Sequence, residues 1–296
     1  MMTRETGYAP DAAGGGAVKS EQDLVERAKA GDRAAFDALL APAAGKARGA
    51  VRQMIGHPDD AEDVFQNACV KAWRKIDAFK GDALFSTWLC SIAVREAIDH
   101  LRASKRWRRE AQVAYANLCA EDEALSGEVT NAFAAPDFSF ELREHVAYCF
   151  ACVGRSLPPD EQAALVARDV MGFSGREAAT VLGVSDAVMR HRLSAARMAM
   201  TERYDGLCAL VSKTGICHQC KGLREVAAMA GGKPEALPDV ADLADRIAIV
   251  RDAARKGSGK GACKSAALHD LFWRRTKEIE EKGLGSTEPQ SDCGQD

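Results

Sequence analysis

The sequence has few aromatic residues and few runs of the kind that build β-strands. Only 6% of its 296 residues are Phe, Trp or Tyr, and aromatic and β-branched residues are the ones enriched in strands. Ala, Leu, Arg and Glu recur in nearly every stretch of the chain, and most of them are strong helix formers. We therefore predict an all-α protein.

Long apolar runs are also missing. No stretch reaches the roughly 20 apolar residues that a membrane-spanning helix needs, and residues 1–16 lack the charged-then-apolar order of a signal peptide. We therefore expect a cytoplasmic protein with no membrane partner. In that compartment the ten cysteines are expected to stay reduced, so clustered thiols are better candidates for metal ligands or redox sensors than for disulfides.

A net excess of positive charge is lacking as well. The formal charge is −3 and the pI is about 6.1, so any contact with nucleic acid has to come from local basic patches. The length exceeds that of one small domain. Shifts in composition divide the chain into a disordered tail (1–19), a helical domain (20–110), a flexible acidic linker (111–139), a second helical domain (140–204), a helical extension (205–285) and a disordered tail (286–296).

The second helical domain carries the signals of a helix-turn-helix. Ser174 and Glu177 fit a capping box at a helix start, Gly183 permits a left-handed turn, and Ser185 is placed to cap the next helix. The exposed side of that next helix would carry Arg190, His191, Arg192 and Arg197. These side chains can meet phosphates and guanine edges in a major groove, although a solvated basic face in a helical bundle would show the same pattern.

The first helical domain contains an acidic helix start at residues 59–63, which follows Pro58. Carboxylates there are favourable at the positive end of the helix dipole, so capping explains them. The same helix also leaves Glu62, Gln66, Lys71 and Trp73 as a mixed polar and aromatic surface that could bind a partner helix. The pattern alone does not choose between these interpretations.

A Gly-containing loop with aromatic ends follows at residues 79–88, with Ser86 as the predicted cap of the next helix. Aromatic faces and Lys80 could hold an unstacked base, or Phe85 and Trp88 could be buried core residues. The helix beyond it ends in a basic patch at residues 100–109 with an interleaved Trp. Such a patch suits phosphate neutralisation, and taken alone it could equally be a generic run of charge.

Taken in order, these pieces resemble a known family. Asp60-Ala-Glu-Asp-Val-Phe-Gln, Ala72-Trp-Arg, Phe79-Lys-Gly, Phe85-Ser-Thr-Trp-Leu and Ala97-Ile-Asp-His-Leu-Arg resemble region two of the extracytoplasmic-function sigma factors. Leu157-Pro-Pro-Asp-Glu-Gln, Arg168-Asp-Val-Met-Gly-Phe-Ser, Glu177-Ala-Ala-Thr-Val-Leu-Gly-Val-Ser and Arg192-Leu with Ala196-Arg resemble region four. The matches cover roughly residues 21–110 and 140–203.

The resemblance implies a factor that binds core RNA polymerase and promoter DNA, and it implies a role for each matched residue. The polymerase would be bound by Asp60, Glu62, Asp63, Gln66 and Trp73. The minus-ten element would be melted and read by Phe79, Lys80, Phe85, Trp88, Arg102, Lys105, Arg106, Arg108 and Arg109. The minus-thirty-five element would be read by Arg190, His191, Arg192 and Arg197. An anti-sigma factor is a further candidate partner.

The sequence departs from the family pattern in the recognition helix. Members usually have Thr, Val, Lys and Ser where this chain has Val188, Met189, Arg190 and His191, so we expect a different base preference. No nucleophile–base pair and no phosphate loop is found, and trapping an extruded base needs no catalyst. We therefore expect a protein that is not an enzyme.

The extension begins with a cluster of cysteines. Cys208, Cys217, His218 and Cys220 include a Cys-x-x-Cys pair that could chelate zinc or act as a redox pair, with Cys263 as another possible ligand. Cys149 and Cys152 have the same spacing and could supply the missing half of such a site, or they could be small apolar core residues of the predicted helix on which they fall. No cofactor is otherwise expected, and in either case we predict that the extension is regulatory.

One function of another class remains open at this point. A stand-alone helix-turn-helix regulator, with thiols that sense a metal or an oxidant, would share the second domain. Such a regulator binds a duplex by itself, usually as a dimer on paired half-sites. A sigma factor needs core polymerase for promoter binding, so a binding experiment with and without polymerase distinguishes it from a stand-alone regulator.

Overall fold

The computed structural model describes residues 14–103, 123, 124, 142–207 and 243–256, and within these ranges it contains helices and no strand. The all-α prediction is therefore confirmed for this part of the chain. Several predicted features lie outside the described residues: most of the linker and of both tails, and the side chains Lys105, Arg106, Arg108, Arg109, Cys208, Cys217, His218, Cys220 and Cys263.

The described helices follow the order expected from the sequence. We number them α1 Gly14–Lys29, α2 Arg33–Ile55, α3 Pro58–Arg74, α4 Phe85–Ala103, α5 Leu142–Gly154, α6 Pro159–Leu165, α7 Gly175–Leu182, α8 Asp186–Leu207 and α9 Leu243–Lys256. A 3-10 turn, Ile76–Ala78, follows α3, and a π-helical turn, Val166–Val170, continues α6.

The first four helices form a bundle around α2, which packs against α1, α3 and α4. An aromatic cluster joins them. The Phe36 ring on α2 lies edge-on 5.1 Å from Trp73 of α3 and 5.9 Å from Phe85 of α4. Because Phe36 is fully buried, this cluster fixes how α3 and α4 sit on α2.

The helix starts of this bundle agree with the sequence in some places and differ in others. Pro58 is the first residue of α3, and His57 caps that helix by accepting a hydrogen bond from the Asp60 N–H. The first helix begins at Gly14 rather than at Ser20, and local propensity does not account for the earlier start, because the three glycines there are weak helix formers. The fourth begins at Phe85, so Ser86 is not its cap.

The start of α4 is instead held by a distant side chain. The Phe85 N–H, which has no partner within its own helix, donates to Oε1 of Glu21 on α1 over 3.0 Å. The positive end of the α4 dipole also stabilises a carboxylate at this position. The contact ties the first helix to the loop that precedes α4.

The helix-turn-helix of α7 and α8 has the local chemistry that the sequence predicts. The capping box is complete: the Ser174 N–H donates to Glu177, and the Glu177 N–H donates to the Ser174 hydroxyl. The turn residue Gly183 has φ 65° in the left-handed region, and the Ser185 hydroxyl accepts from the Val188 N–H at 3.3 Å. These predictions are confirmed.

One buried thiol has a strongly shifted pKa. Burial inside the bundle raises the pKa of Cys90 to about 12, so the neutral thiol persists throughout the physiological range and the reactive thiolate does not form. We expect native Cys90 to resist alkylation by iodoacetamide at pH 8 and to react once the protein is unfolded. Mass spectrometry of the modified peptides checks this, and rapid modification of native Cys90 would contradict its burial.

Candidate nucleic-acid and partner-binding surfaces

One face of α3 points outward with three side chains in register. Asp63 and Gln66 are exposed, and Val70 is 50% exposed, which is high for a large apolar residue. Positions three, four and seven apart share one face of a helix. We call Asp63, Gln66 and Val70 the α3 stripe. Asp63 and Gln66 were predicted to bind the polymerase, and Val70 was not. The sequence contains a signal for Val70, because it does not share a helix face with the buried residues of α3.

The other predicted polymerase-binding residues have partners inside the bundle. Glu62 accepts from the Arg48 guanidinium at 2.9 Å. Asp60 lies 3.8 Å from Nδ1 of His57. Half-buried Trp73 packs on Phe36 and carries the Arg33 guanidinium 5.3 Å from its ring. These side chains therefore shape and support the outward stripe, and direct contact with a polymerase remains a prediction for them.

The aromatic ends of the loop before α4 are largely core residues. Phe79 is 4% exposed and Phe85 is 1% exposed, and their rings meet edge-on at 5.9 Å. The Phe79 carbonyl accepts from the Lys29 ammonium at 2.6 Å. Half-buried Trp88 lies 5.2 Å from Phe79. The interpretation of Phe85 as a core residue, left open by the sequence, is the one that the structure shows.

The exposed part of the same loop has a different composition. Lys80 is exposed, as a residue that contacts a nucleic acid has to be. Leu84 is 61% exposed and stands directly before α4. An apolar side chain at this position can wedge against an unstacked base, although it was not among the predicted residues. The surface available to a base is therefore made by Lys80, Leu84 and the uncovered part of Trp88.

The recognition helix α8 presents on its surface two of the four basic side chains that were predicted to contact DNA, with no partner inside the described protein. Arg190 and His191 are exposed near its amino-terminal end, next to Val188, which is 40% exposed. The recognition helix of a helix-turn-helix contacts base edges with residues at this end. The placement of Arg190 and His191 suits that role.

The other two arginines predicted to contact DNA, Arg192 and Arg197, form ion pairs within the protein. Arg197 donates two hydrogen bonds, of 2.8 and 2.6 Å, to the buried carboxylate of Asp169, and this hydrogen bonding raises the pKa of Arg197. Arg192 lies 3.2 Å from Asp160. The same Asp160 carboxylate accepts from Arg102 at the end of α4, over 2.6 Å. Two predicted promoter contacts therefore share one acidic partner.

The described cysteines do not form a metal site. In the described ranges, no group of three or more His, Cys, Asp or Glu side chains is placed to hold a metal ion. Cys149 and Cys152 both lie on α5, where Cys152 is buried and Cys149 is half-buried against the core. This agrees with the interpretation of Cys152 as a small apolar core residue.

Comparison with known proteins matches both helical domains. Residues 43–108 match Sigma-70 region 2, and residues 150–200 match Sigma-70, region 4. The RNA polymerase sigma-H factor of Pseudomonas aeruginosa is 33% identical over 184 residues, which cover 62% of this chain and 92% of that protein. The ECF RNA polymerase sigma-E factor of Escherichia coli K12 is 32% identical over 191 residues, which cover 64% and 96%.

A solved structure of CnrH in complex with the cytosolic domain of CnrY aligns with a TM-score of 0.41 and 23% identity, over 63% of this chain and 97% of that chain.

The sequence matches decide the class. The chain belongs to the extracytoplasmic-function group of sigma-70 RNA polymerase sigma factors. It binds core RNA polymerase and directs promoter recognition, and the stand-alone regulator is not favoured. We refer below to α1–α4 as region 2 and to α5–α8 as region 4.

None of the described helices is both long enough and apolar enough to span a membrane.

Proposed function

We propose that separate surfaces of this sigma factor bind its two partners. The α3 stripe binds core polymerase, the exposed loop before α4 holds an extruded base of the minus-ten element, and Arg190 with His191 reads the minus-thirty-five element. The observation that carries the proposal is that the stripe and these two side chains are exposed, whereas the neighbouring predicted residues already have partners inside the protein. The factor performs no bond chemistry and works in the cytoplasm.

Promoter melting needs only binding energy in this proposal. Extruding a base costs a few kcal/mol, and stacking on an aromatic face returns about 1–3 kcal/mol. Trp88 supplies part of a face, Leu84 an apolar wedge and Lys80 a charge for the backbone phosphate. Contacts of the basic patch with phosphates add a term that weakens as salt concentration rises. Together these terms can offset the cost without any catalytic group.

The proposal is tested by transcription in vitro from a library of genomic promoters, with core polymerase alone and with the full chain added. Defined new transcripts that depend on both proteins are expected. A chain that binds duplex promoters as a dimer and starts no transcript would favour the stand-alone regulator instead. An anti-sigma factor would be detected in the same assay as a protein that suppresses these transcripts.

The recognition helix gives a direct test of base reading. Replacing Arg190 with alanine is expected to cost about 1–3 kcal/mol of affinity for the minus-thirty-five duplex and to relax specificity at one base pair. Holoenzyme binding to promoter variants, each changed at one position, measures both effects. Arg74→Ala removes an arginine of region 2 that is also exposed and serves as the control. An unchanged footprint and specificity for Arg190→Ala would remove this residue from the reading surface.

We propose that polymerase and promoter binding need no bound cofactor, with zinc at Cys208, Cys217, His218 and Cys220 as the one candidate addition. The purified factor can be treated with a chelator and dialysed before core polymerase is added, which spares the metals of the polymerase. We expect the treated factor to start the same transcripts as the untreated one. A loss of activity that zinc restores would contradict this and assign the cysteines a metal.

A further inference from the structure

Regions 2 and 4 pack against each other along a polar seam. Helix α2 contacts α5 and α6, while α4 contacts α6 and α7. At the centre, Gln162 is 1% exposed and donates to the Met54 carbonyl at 3.0 Å. Nearby, the Lys46 ammonium of α2 lies 3.7 Å from the centre of the Phe173 ring. These contacts join the two regions in the arrangement that the structure shows.

The seam also brings together two side chains that the promoter would otherwise use. Asp160 accepts from Arg102 of region 2 over 2.6 Å and lies 3.2 Å from Arg192 of region 4. Both arginines therefore lie beside one carboxylate. In this arrangement both of them are paired with an internal carboxylate in place of a phosphate.

This arrangement does not fit a promoter. The minus-ten and minus-thirty-five elements are about 25 base pairs apart by their names, which at about 3.4 Å per base pair is on the order of 85 Å. Arg102 and Arg192, assigned to different elements, lie beside the same carboxylate. A molecule closed in this way can occupy one element at most, so region 4 has to separate from region 2 before both are bound.

Helix α9 lies where it can oppose that separation. It is outside both ranges matched to the sigma family, and it contacts α5, the π-helical turn and α8 of region 4 as well as α2 of region 2. Ile247 and Val250 on its inner face are buried. One helix of the extension therefore packs against both sides of the seam.

Polar contacts anchor α9 to region 4. The Arg246 guanidinium, 1% exposed, lies 4.0 Å from the centre of the Tyr204 ring on α8. The Arg251 guanidinium donates to the Asp169 carbonyl through Nε at 2.9 Å and Nη2 at 2.6 Å. The side chain of the same Asp169 holds Arg197 of α8. Asp169 therefore connects α9 to the recognition helix, because it contacts Arg251 of α9 and Arg197 of α8.

We propose that α9 is an autoinhibitory latch that holds regions 2 and 4 in the closed arrangement. The proposal rests on the sigma function given above and deepens it by assigning the extension a mechanism. A ligand that binds only the open state binds more weakly in proportion to the fraction of molecules that are open. Weakening the latch therefore raises the apparent affinity for promoter and polymerase, without any new contact to either.

The latch is tested with a matched pair of substitutions on α9. Val250→Asp puts a charge into the buried face, and Ala248→Asp puts the same charge on the exposed face of the same helix. We expect Val250→Asp to increase the radius of gyration measured by small-angle X-ray scattering and to raise transcript yield severalfold at limiting core polymerase. Ala248→Asp should match the natural chain in both. An unchanged radius would overturn the proposal, and so would a larger radius with no gain in transcription if the natural chain does start transcripts.

A second pair opens the seam without touching α9. Asp160→Arg places a third cation between Arg102 and Arg192, whereas Glu161→Arg makes the same charge change one residue further along the first turn of α6. We expect only Asp160→Arg to expand the molecule and to raise transcript yield. Closed molecules for both variants would overturn the proposal.

The scattering measurement uses the full chain without polymerase or DNA. It therefore tests the latch even if the chain starts no transcripts, an outcome that would count against the proposed function alone. Circular dichroism of each variant separates opening from unfolding, because an opened molecule keeps its helix content. If Val250→Asp unfolds, the milder Val250→Ser decides, with Ala248→Ser as its control.

Discussion

Replacing Phe36 with alanine is expected to lower the free energy of unfolding of region 2 by about 3–5 kcal/mol, the range found for truncating large buried aromatic side chains. Phe36 is fully buried. Its ring contacts Trp73 of α3 and Phe85 of α4, and the Arg33 guanidinium lies 5.5 Å from its centre. The substitution removes apolar contacts and leaves a cavity where three helices meet.

Urea unfolding followed by circular dichroism measures this loss. Leu84→Ala is the matched control, because it truncates a side chain that is already 61% exposed and should change stability by less than about 0.5 kcal/mol. A loss of less than about 1 kcal/mol for Phe36→Ala would mean that the aromatic cluster does not hold the bundle together. The milder Phe36→Leu extends the series if the alanine variant is too unstable to purify.

The same aromatic cluster shows where prediction from sequence reaches its limit. The loop at residues 79–88 was compatible both with base stacking and with core packing, because an aromatic side chain suits either environment. The choice depends on whether α2 supplies a facing side chain, and Phe36 supplies it from almost fifty positions away. Such a decision is made by tertiary contacts, and no local pattern contains it.

Local signals were predicted well for the opposite reason. The Ser174 capping box, the left-handed Gly183 and the Ser185 cap each depend on atoms within a few residues, so the sequence spacing already contains the geometry. The Ser86 cap failed because its place is taken by Glu21, more than sixty residues earlier. The Asp160 contacts with Arg102 and Arg192 were likewise beyond local reasoning, since they need two domains to meet.

The α3 stripe combines both kinds of information. The helix and its amphipathic period follow from the sequence, and they indicate that Asp63 and Gln66 share a face. Only the structure distinguishes these two exposed residues from Glu62 and Trp73. Glu62 is paired with Arg48, and Trp73 packs on Phe36. The structure also added Val70, whose 50% exposure places an apolar contact at the carboxy-terminal end of an otherwise polar stripe.

A factor in which Asp63 is replaced with arginine is expected to bind core polymerase about ten to a hundred times more weakly. That loss corresponds to roughly 1.4–2.8 kcal/mol, because reversing a charge within a complementary interface replaces attraction with repulsion. The fold should be unaffected. Asp63 is exposed, and an arginine there stands four residues after Asp59 on α3, an arrangement that stabilises a helix.

The binding constant can be measured by competition with a labelled factor for a fixed amount of core polymerase. Asp77→Arg is the control, because it makes the same charge change at an exposed position outside α3. A similar loss in both variants would show that overall charge governs binding. A loss in Asp63→Arg alone would locate the contact on the α3 stripe, since the two chains have the same net charge and differ only in which surface carries the new cation. Unchanged affinity in Asp63→Arg would instead remove the stripe from the polymerase interface.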